Sequence, residues 1–259
     1  MTTPKTLLLR SRSGVSEPVT VPRDDWDAAR IAVVVCDMWD TTHCVSAARR
    51  VIEMAPRINE VAGRLWRDGA LIVHAPGGCM GFYADTSARD RARQAPRVRS
   101  RVPVGWHDWD ASREPPLPST LGDDTPCSCE PGDPCTEGGP PYPWTRQIDS
   151  IEISSSDAVT DDGEELLALL EHGGIEDVVV MGVHLNRCVL GRPYGIRQLV
   201  HWEKRPVLCR DLTDSYHRDP RGHLRGNEDM IAHVERYWCP TVTSDQLVGG
   251  APFQFQSTG

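Results

Sequence analysis

The stretch Gly182-Val-His-Leu-Asn-Arg-Cys188-Val-Leu puts a cysteine just past an apolar, strand-like run, at the expected first turn of a helix. Free backbone NH groups at a helix start lower a thiol's pKa and can receive a developing oxyanion, which makes Cys188 a candidate nucleophile. A small apolar cysteine capping a strand is the structural alternative. A second strand end supplies an acid, because Asp37 follows Val33-Val-Val-Cys36 and heads Asp37-Met-Trp39-Asp40. On the same sheet edge, its carboxylate could take the thiol proton and return it to a leaving amine. The alternative for Asp37 is an Asx turn or N-cap closing the strand. Trp39, His74 and Arg146 are candidate substrate contacts around this pair.

These residues need elements to carry them. Residues 31–36 form an unbroken, β-branched apolar run, as a strand buried on both faces requires. Apolar positions at helical spacing predict a helix over 44–68, stopped by Gly69, and a strand over 70–75 follows. The alternation resumes with strands expected at 150–154, 177–183, 206–210 and 241–244, and helices at 162–172, 188–200 and 227–238. This pattern implies one α/β domain spanning 1–259, a parallel sheet with helices on both faces, and reactive groups at the carboxyl ends of its strands. Between Pro76 and Gln147, 72 residues hold 12 of the 21 prolines, so that segment is no regular layer. It reads as a lid or oligomer arm over the strand ends, or as a solvated linker.

Composition narrows the function. A net charge of −9 argues against nucleic-acid or anionic-membrane partners. No apolar run approaches the roughly 18 residues of a membrane span, and Thr6 to Arg10 carries too few leucines for a signal core, so a cytoplasmic protein is expected. Nine cysteines without an export signal suggest reduced thiols rather than a disulfide framework. Only Lys5 and Lys204 are lysines, against 26 arginines.

Taken together, the Val-Val-Val-Cys-Asp37-Met run, the strand bearing His74, and Val-Val-Val-Met-Gly182-Val-His-Leu-Asn-Arg-Cys188-Val resemble the isochorismatase-like cysteine hydrolases. That superfamily includes nicotinamidases and N-carbamoyl amidases. The resemblance covers most of residues 31 to 245 apart from the proline-rich excursion. It implies a six-stranded parallel sheet, an Asp-Lys-Cys triad, and often a non-proline cis peptide near the glycine that aims NH groups into an oxyanion hole. By motif position Asp37 matches the acid, Cys188 the nucleophile, and the NH groups of His184 and Cys188 the hole. It also implies a homo-oligomer.

This chain departs from the pattern in two places. The usual threonine of the turn is Leu185, and no lysine lies around 151–155, where the resemblance places it. The nearest ionisable groups are Glu152, Asp157 and Arg146, of which Glu152, on the expected strand, is the candidate third member, with a solvent-facing strand glutamate as the alternative. The Asp and His pair by which nicotinamidases hold a metal is not matched by Val73-His74-Ala75-Pro76-Gly77-Gly78-Cys79. Asp40 and His43 could ligate a metal with His74, or serve as hydrogen-bonded structure. Cys127, Cys129 and Cys135 could bind a structural zinc, although CxC is not the usual knuckle spacing. No catalytic cofactor is expected. Arg89, Arg91, Arg93, Arg97, Arg99 and Arg101 form a basic strip, either a solvated face paired with acids or a lid for an anionic substrate. The function expected is a cysteine-dependent hydrolase cleaving a carbon-nitrogen bond of a small amide, carbamoyl or imide substrate. Rival readings are a catalytically silent binding member of the fold and a vinyl-ether hydrolase.

Overall fold

The computed structural model describes residues 5–14, 16–117, 143–216 and 223–256. Eight strands form one sheet: β1 (Lys5–Ser11), β2 (Val19–Trp26), β3 (Ile31–Cys36), β4 (Leu71–Ala75), β5 (Ala158–Val159), β6 (Asp177–Val183), β7 (Arg205–Asp214) and β8 (Thr241–Val242). Their order is β2-β1-β8-β7-β6-β3-β4-β5. The six from β8 to β5 run parallel, as expected, and an antiparallel β1–β2 hairpin extends the sheet at the β8 side. The sheet is therefore mixed and eight-stranded rather than purely parallel. Pro22 lies in β2, the outermost strand, where a missing NH costs no pairing on the open side.

Alternation along β3 divides the core between the two faces of the sheet. Ile31, Val33 and Val35 pack with Val51, Met54, Ile58 and Leu65 of α1 (Val45–Arg67). Ala32, Val34 and Cys36 pack with the helices of the opposite face, α2 (Ser87–Gln94), α3 (Gly163–His172), α4 (Ile196–His201) and α5 (His223–Tyr237). A last helix, α6 (Ser244–Val248), lies beside α1. Asp162 caps α3 by accepting from the NH groups of Glu164 and Glu165 at 2.7 and 3.1 Å, which fixes its expected start.

Two expected elements differ. Residues 150–154 are not a strand: Ser154 N donates to Asp157 Oδ2 at 2.6 Å and Ser156 N to Ser154 Oγ at 3.3 Å, so side chains take the NH groups a ladder would use. The edge strand is instead the two-residue β5. The helix expected over 188–200 is split into a π-helical turn, Leu185–Val189, and α4. Between them lies Gly191-Arg192-Pro193-Tyr194-Gly195, where Pro193 has no NH to donate and a Cβ at Gly195 would meet three carbonyl oxygens at 2.8 to 3.0 Å.

The described parts of the excursion are docked on the body, which excludes a solvated linker for them. Arg89 pairs with Glu165 and donates to Val159 O, Trp202 Nε1 donates to Ser100 Oγ, and Glu114 is buried. Arg97 pairs with Glu164 at 3.1 Å, so part of the basic strip does answer acidic neighbours. No helix among the described residues is long and apolar enough to cross a membrane.

Candidate active site

β3 and β6 are neighbours in register, Cys36 opposite Gly182, so the residues that follow them emerge side by side. Gly182 makes this close approach possible: its φ is +113°, and a Cβ there would lie 2.0 Å from Cys36 O. Beyond it the Val183–His184 peptide is cis. Asp37 follows β3 at a positive φ of 48° and is wholly buried.

Three donors converge on the Asp37 carboxylate, with the Cys188 thiol beside it. Gly77 N donates to Oδ1 at 2.6 Å, the Tyr194 hydroxyl to Oδ1 at 3.0 Å, and Arg192 Nε to Oδ2 at 3.2 Å, while the Asp37 charge acts on the Cys188 thiol. Gly77 must be a glycine for this, since a Cβ would come within 2.6 Å of the Tyr194 oxygen and 2.9 Å of Asp37 Oδ1. Burial pushes the Asp37 pKa up, and the Arg192 charge, the thiol and the two other donors oppose that rise. Burial, then the Asp37 charge, push the Cys188 thiol up as well. The lowered pKa expected from a helix start is therefore absent: the thiol rests protonated and needs a base to become a nucleophile. Burial lowers the His184 pKa to about 3, so its imidazole stays neutral near pH 7.

Aromatic groups pack around these residues. Trp39 and Trp144 stack at 4.1 Å, and both indole NH groups donate to Gly77 O, at 3.0 and 3.1 Å. Trp106, from the excursion, lies over the Arg192 guanidinium at 5.4 Å.

Several sequence candidates lie elsewhere. Glu152 is exposed, its NH donates to Asn59 Oδ1, and it lines a surface cleft with Trp66 and Arg67 rather than meeting Cys188. Without the expected strand at 150–154, nothing aims it at the site. Accordingly Glu152→Gln should leave the rate of Cys188 alkylation by iodoacetamide within about twofold of wild type, the usual scale of a surface change; a tenfold change would return Glu152 to the site. His74 is fully buried beneath the strand end, between Gln147 Oε1 at 3.1 Å and Asp157 Oδ2 at 3.3 Å, out of reach of substrate. Arg146 is paired with Asp149 at 2.7 Å and stacks on Phe82. The Asp40, His43 and His74 set is not assembled. Asp40 accepts from Thr145 N and Oγ1, tying down the end of the excursion, and His43 packs against Trp144 and Tyr216. Among the described residues no three His, Cys, Asp or Glu side chains gather as metal ligands. Cys127, Cys129 and Cys135 lie outside the described residues.

Arg192 and Tyr194 were not foreseen. The available cue was spacing, since Arg192 stands four residues, about one helical turn, after Cys188.

Six parallel strands flanked by helices, with Asp37 and Cys188 just beyond the ends of the neighbouring strands β3 and β6, match the fold that the isochorismatase-like resemblance implied. A cysteine hydrolase from Pseudomonas syringae pv. phaseolicola superposes with a TM-score of 0.51 at 14% identity, covering 86% of this chain and 93% of that one. An isochorismatase from Pseudomonas putida gives 0.49 at 11% identity, over 86% and 92%, and the N-carbamoylsarcosine amidase of Thermoplasma acidophilum gives 0.45 at 16%, over 83% and 97%. No protein-family model and no curated protein sequence matches the chain, so the likeness is one of fold.

Proposed function

We propose that this protein is a cysteine-dependent hydrolase that cleaves a carbon-nitrogen bond of a small amide, carbamoyl or imide compound through an acyl-enzyme on Cys188. The single observation that carries the reading is that the Cys188 thiol lies beside the buried Asp37 carboxylate, close enough for each to act on the other's proton affinity. A base beside the thiol suits a thiol that is not ionised at rest. The neutral His184 is too weak a base to compete.

In the first half-reaction Asp37 takes the thiol proton as sulfur attacks the carbonyl carbon. The C–N bond then breaks, and the nitrogen leaves with the proton held by Asp37. In the second half, water gives a proton to Asp37 and attacks the thioester, the C–S bond breaks, and the proton returns to sulfur. The backbone NH groups of His184 and of Cys188 itself, at the turn that follows β6, are the groups assigned to the oxyanion. The solved protein of similar fold from Pseudomonas syringae is itself a cysteine hydrolase, which agrees with this chemistry.

The test is a panel of small primary amides, N-carbamoyl compounds, ureas and imides, assayed for ammonia release or ring opening with wild type and Cys188→Ala side by side. Turnover by wild type that disappears in the variant is expected. Turnover that survives Cys188→Ala, or no turnover across the panel, overturns the reading.

A further inference from the structure

Arg192 lies where a charge would act on both partners of the pair. Its Nε donates to Asp37 Oδ2 at 3.2 Å, and its backbone NH donates to Cys188 O at 3.0 Å, so the loop that carries it is anchored on the nucleophile's own turn. Its side chain is 26% exposed, shielded enough to keep its field strong. The excursion holds it there. Trp106 covers the guanidinium at 5.4 Å, while His107 N donates to Gly191 O at 2.7 Å and Arg197 Nη1 to His107 O at 2.8 Å, clamping the segment just before and after Arg192. Tyr194, on the same loop, adds a neutral donor to the other carboxylate oxygen.

We infer that Arg192 is the fixed cation of the active site, holding Asp37 ionised as a base and favouring the Cys188 thiolate as it forms. The inference rests on the reading of Cys188 as nucleophile. A guanidinium remains charged throughout the working pH range, and Asp37 raises its proton affinity further, so Arg192 neither gives nor takes a proton. Every proton transfer therefore belongs to Asp37. The same charge offsets part of the burial cost that both Asp37 and Cys188 carry. Because Trp106 and His107 belong to the proline-rich segment, that segment helps to set the site's electrostatics.

The experiment follows Cys188 alkylation by iodoacetamide, read by peptide mass analysis from pH 5 to 9, in wild type, Arg192→Gln, Arg192→Lys and Trp106→Ala. Alkylation needs no substrate, so its outcome is separable from success or failure of the hydrolase panel. Removing an opposite charge beside a carboxylate raises that carboxylate's pKa by about 1 to 3 units. Arg192→Gln should therefore slow alkylation and move the acid limb of its pH profile upward by that amount. Arg192→Lys should restore the limb toward its wild-type position. Where a substrate is in hand, kcat/KM should show the same upward move in Arg192→Gln. Trp106→Ala keeps the charge but frees it, and should shift the limb in the same direction by less. It also decides the matter if Arg192→Gln does not fold. The inference is overturned if the folded variants alkylate with the wild-type profile, or if Arg192→Lys fails as completely as Arg192→Gln.

Discussion

Cys188→Ala is expected to lower ammonia release by a factor on the order of 10⁴ or more, the scale seen when a nucleophile is deleted from a set of residues that act as a unit. The change removes one sulfur atom from a turn whose backbone bonds, Val189 N and Arg187 N to His184 O at 3.1 and 3.0 Å, do not involve the side chain. The fold should therefore persist, and loss of rate with an unchanged melting curve is the signature. Asp37→Asn should cost on the order of 10² to 10⁴, the usual worth of a positioned general base. An amide keeps the shape of the carboxylate but cannot take the thiol proton. In wild type, burial raises the Asp37 pKa above its ordinary value of 3.8. Only the ionised form accepts a proton, so activity should fall as pH drops through that raised value, with an acid limb above the usual carboxylate range. An acid limb at or below pH 3.8 would contradict Asp37 as the base.

Glu114→Ala is the second large effect, this time on stability. Glu114 comes from the excursion, and its carboxylate is fully enclosed, accepting from Arg197 Nη2 at 2.5 Å, His233 Nε2 at 2.5 Å and Trp238 Nε1 at 2.7 Å. Removing it leaves a buried arginine without its counter-charge, a loss on the order of 3 to 5 kcal/mol. For a chain of this size that corresponds to a fall in melting temperature of about 10 °C. A fall below about 2 °C would mean that the excursion is held by other contacts. The same group predicts a direction with pH. Burial alone would raise the Glu114 pKa, but hydrogen bonds from His233 and Trp238, with the Arg197 charge, outweigh it and hold the carboxyl below its ordinary value of 4.5. Its contribution is therefore present above pH 4.5 and is lost as pH falls from there through the lowered folded value.

The sequence made legible what local pattern controls. The β-branched run at 31–36 and the strand at 177–183 could only be buried strands; Asp37 follows the first directly and Cys188 lies in the turn just beyond the second. Asp37 and Cys188 were visible because a reactive type stood at a topologically privileged place. The β1–β2 hairpin was not visible: Pro22, Asp24 and Asp25 interrupt its alternation, and only pairing with β8 gives it a sheet to join. Gly191, Pro193 and Gly195 stand inside the helix expected over 188–200 and break it, a signal that the apolar periodicity overrode. No local pattern shows that the loop folds back to set Arg192 and Tyr194 on Asp37, more than 150 residues away in sequence. Trp106, Trp144 and Glu114 belong to that same class of long-range contact, carried by a segment with no periodicity from which to place them. Glu152 failed for a local reason, because the Ser154, Ser156 and Asp157 side chains favour a turn over the strand that would have aimed it.

The central claim is that a carbon-nitrogen bond is broken through a thioester on Cys188. The most direct measurement is acid quenching during turnover of an amide that the panel identifies, followed by peptide mass analysis. The account predicts an acyl adduct on the peptide bearing Cys188, accumulating at the start of the reaction and absent from Cys188→Ala. Turnover with that peptide unmodified at every quench time, continuing in Cys188→Ala, would contradict it.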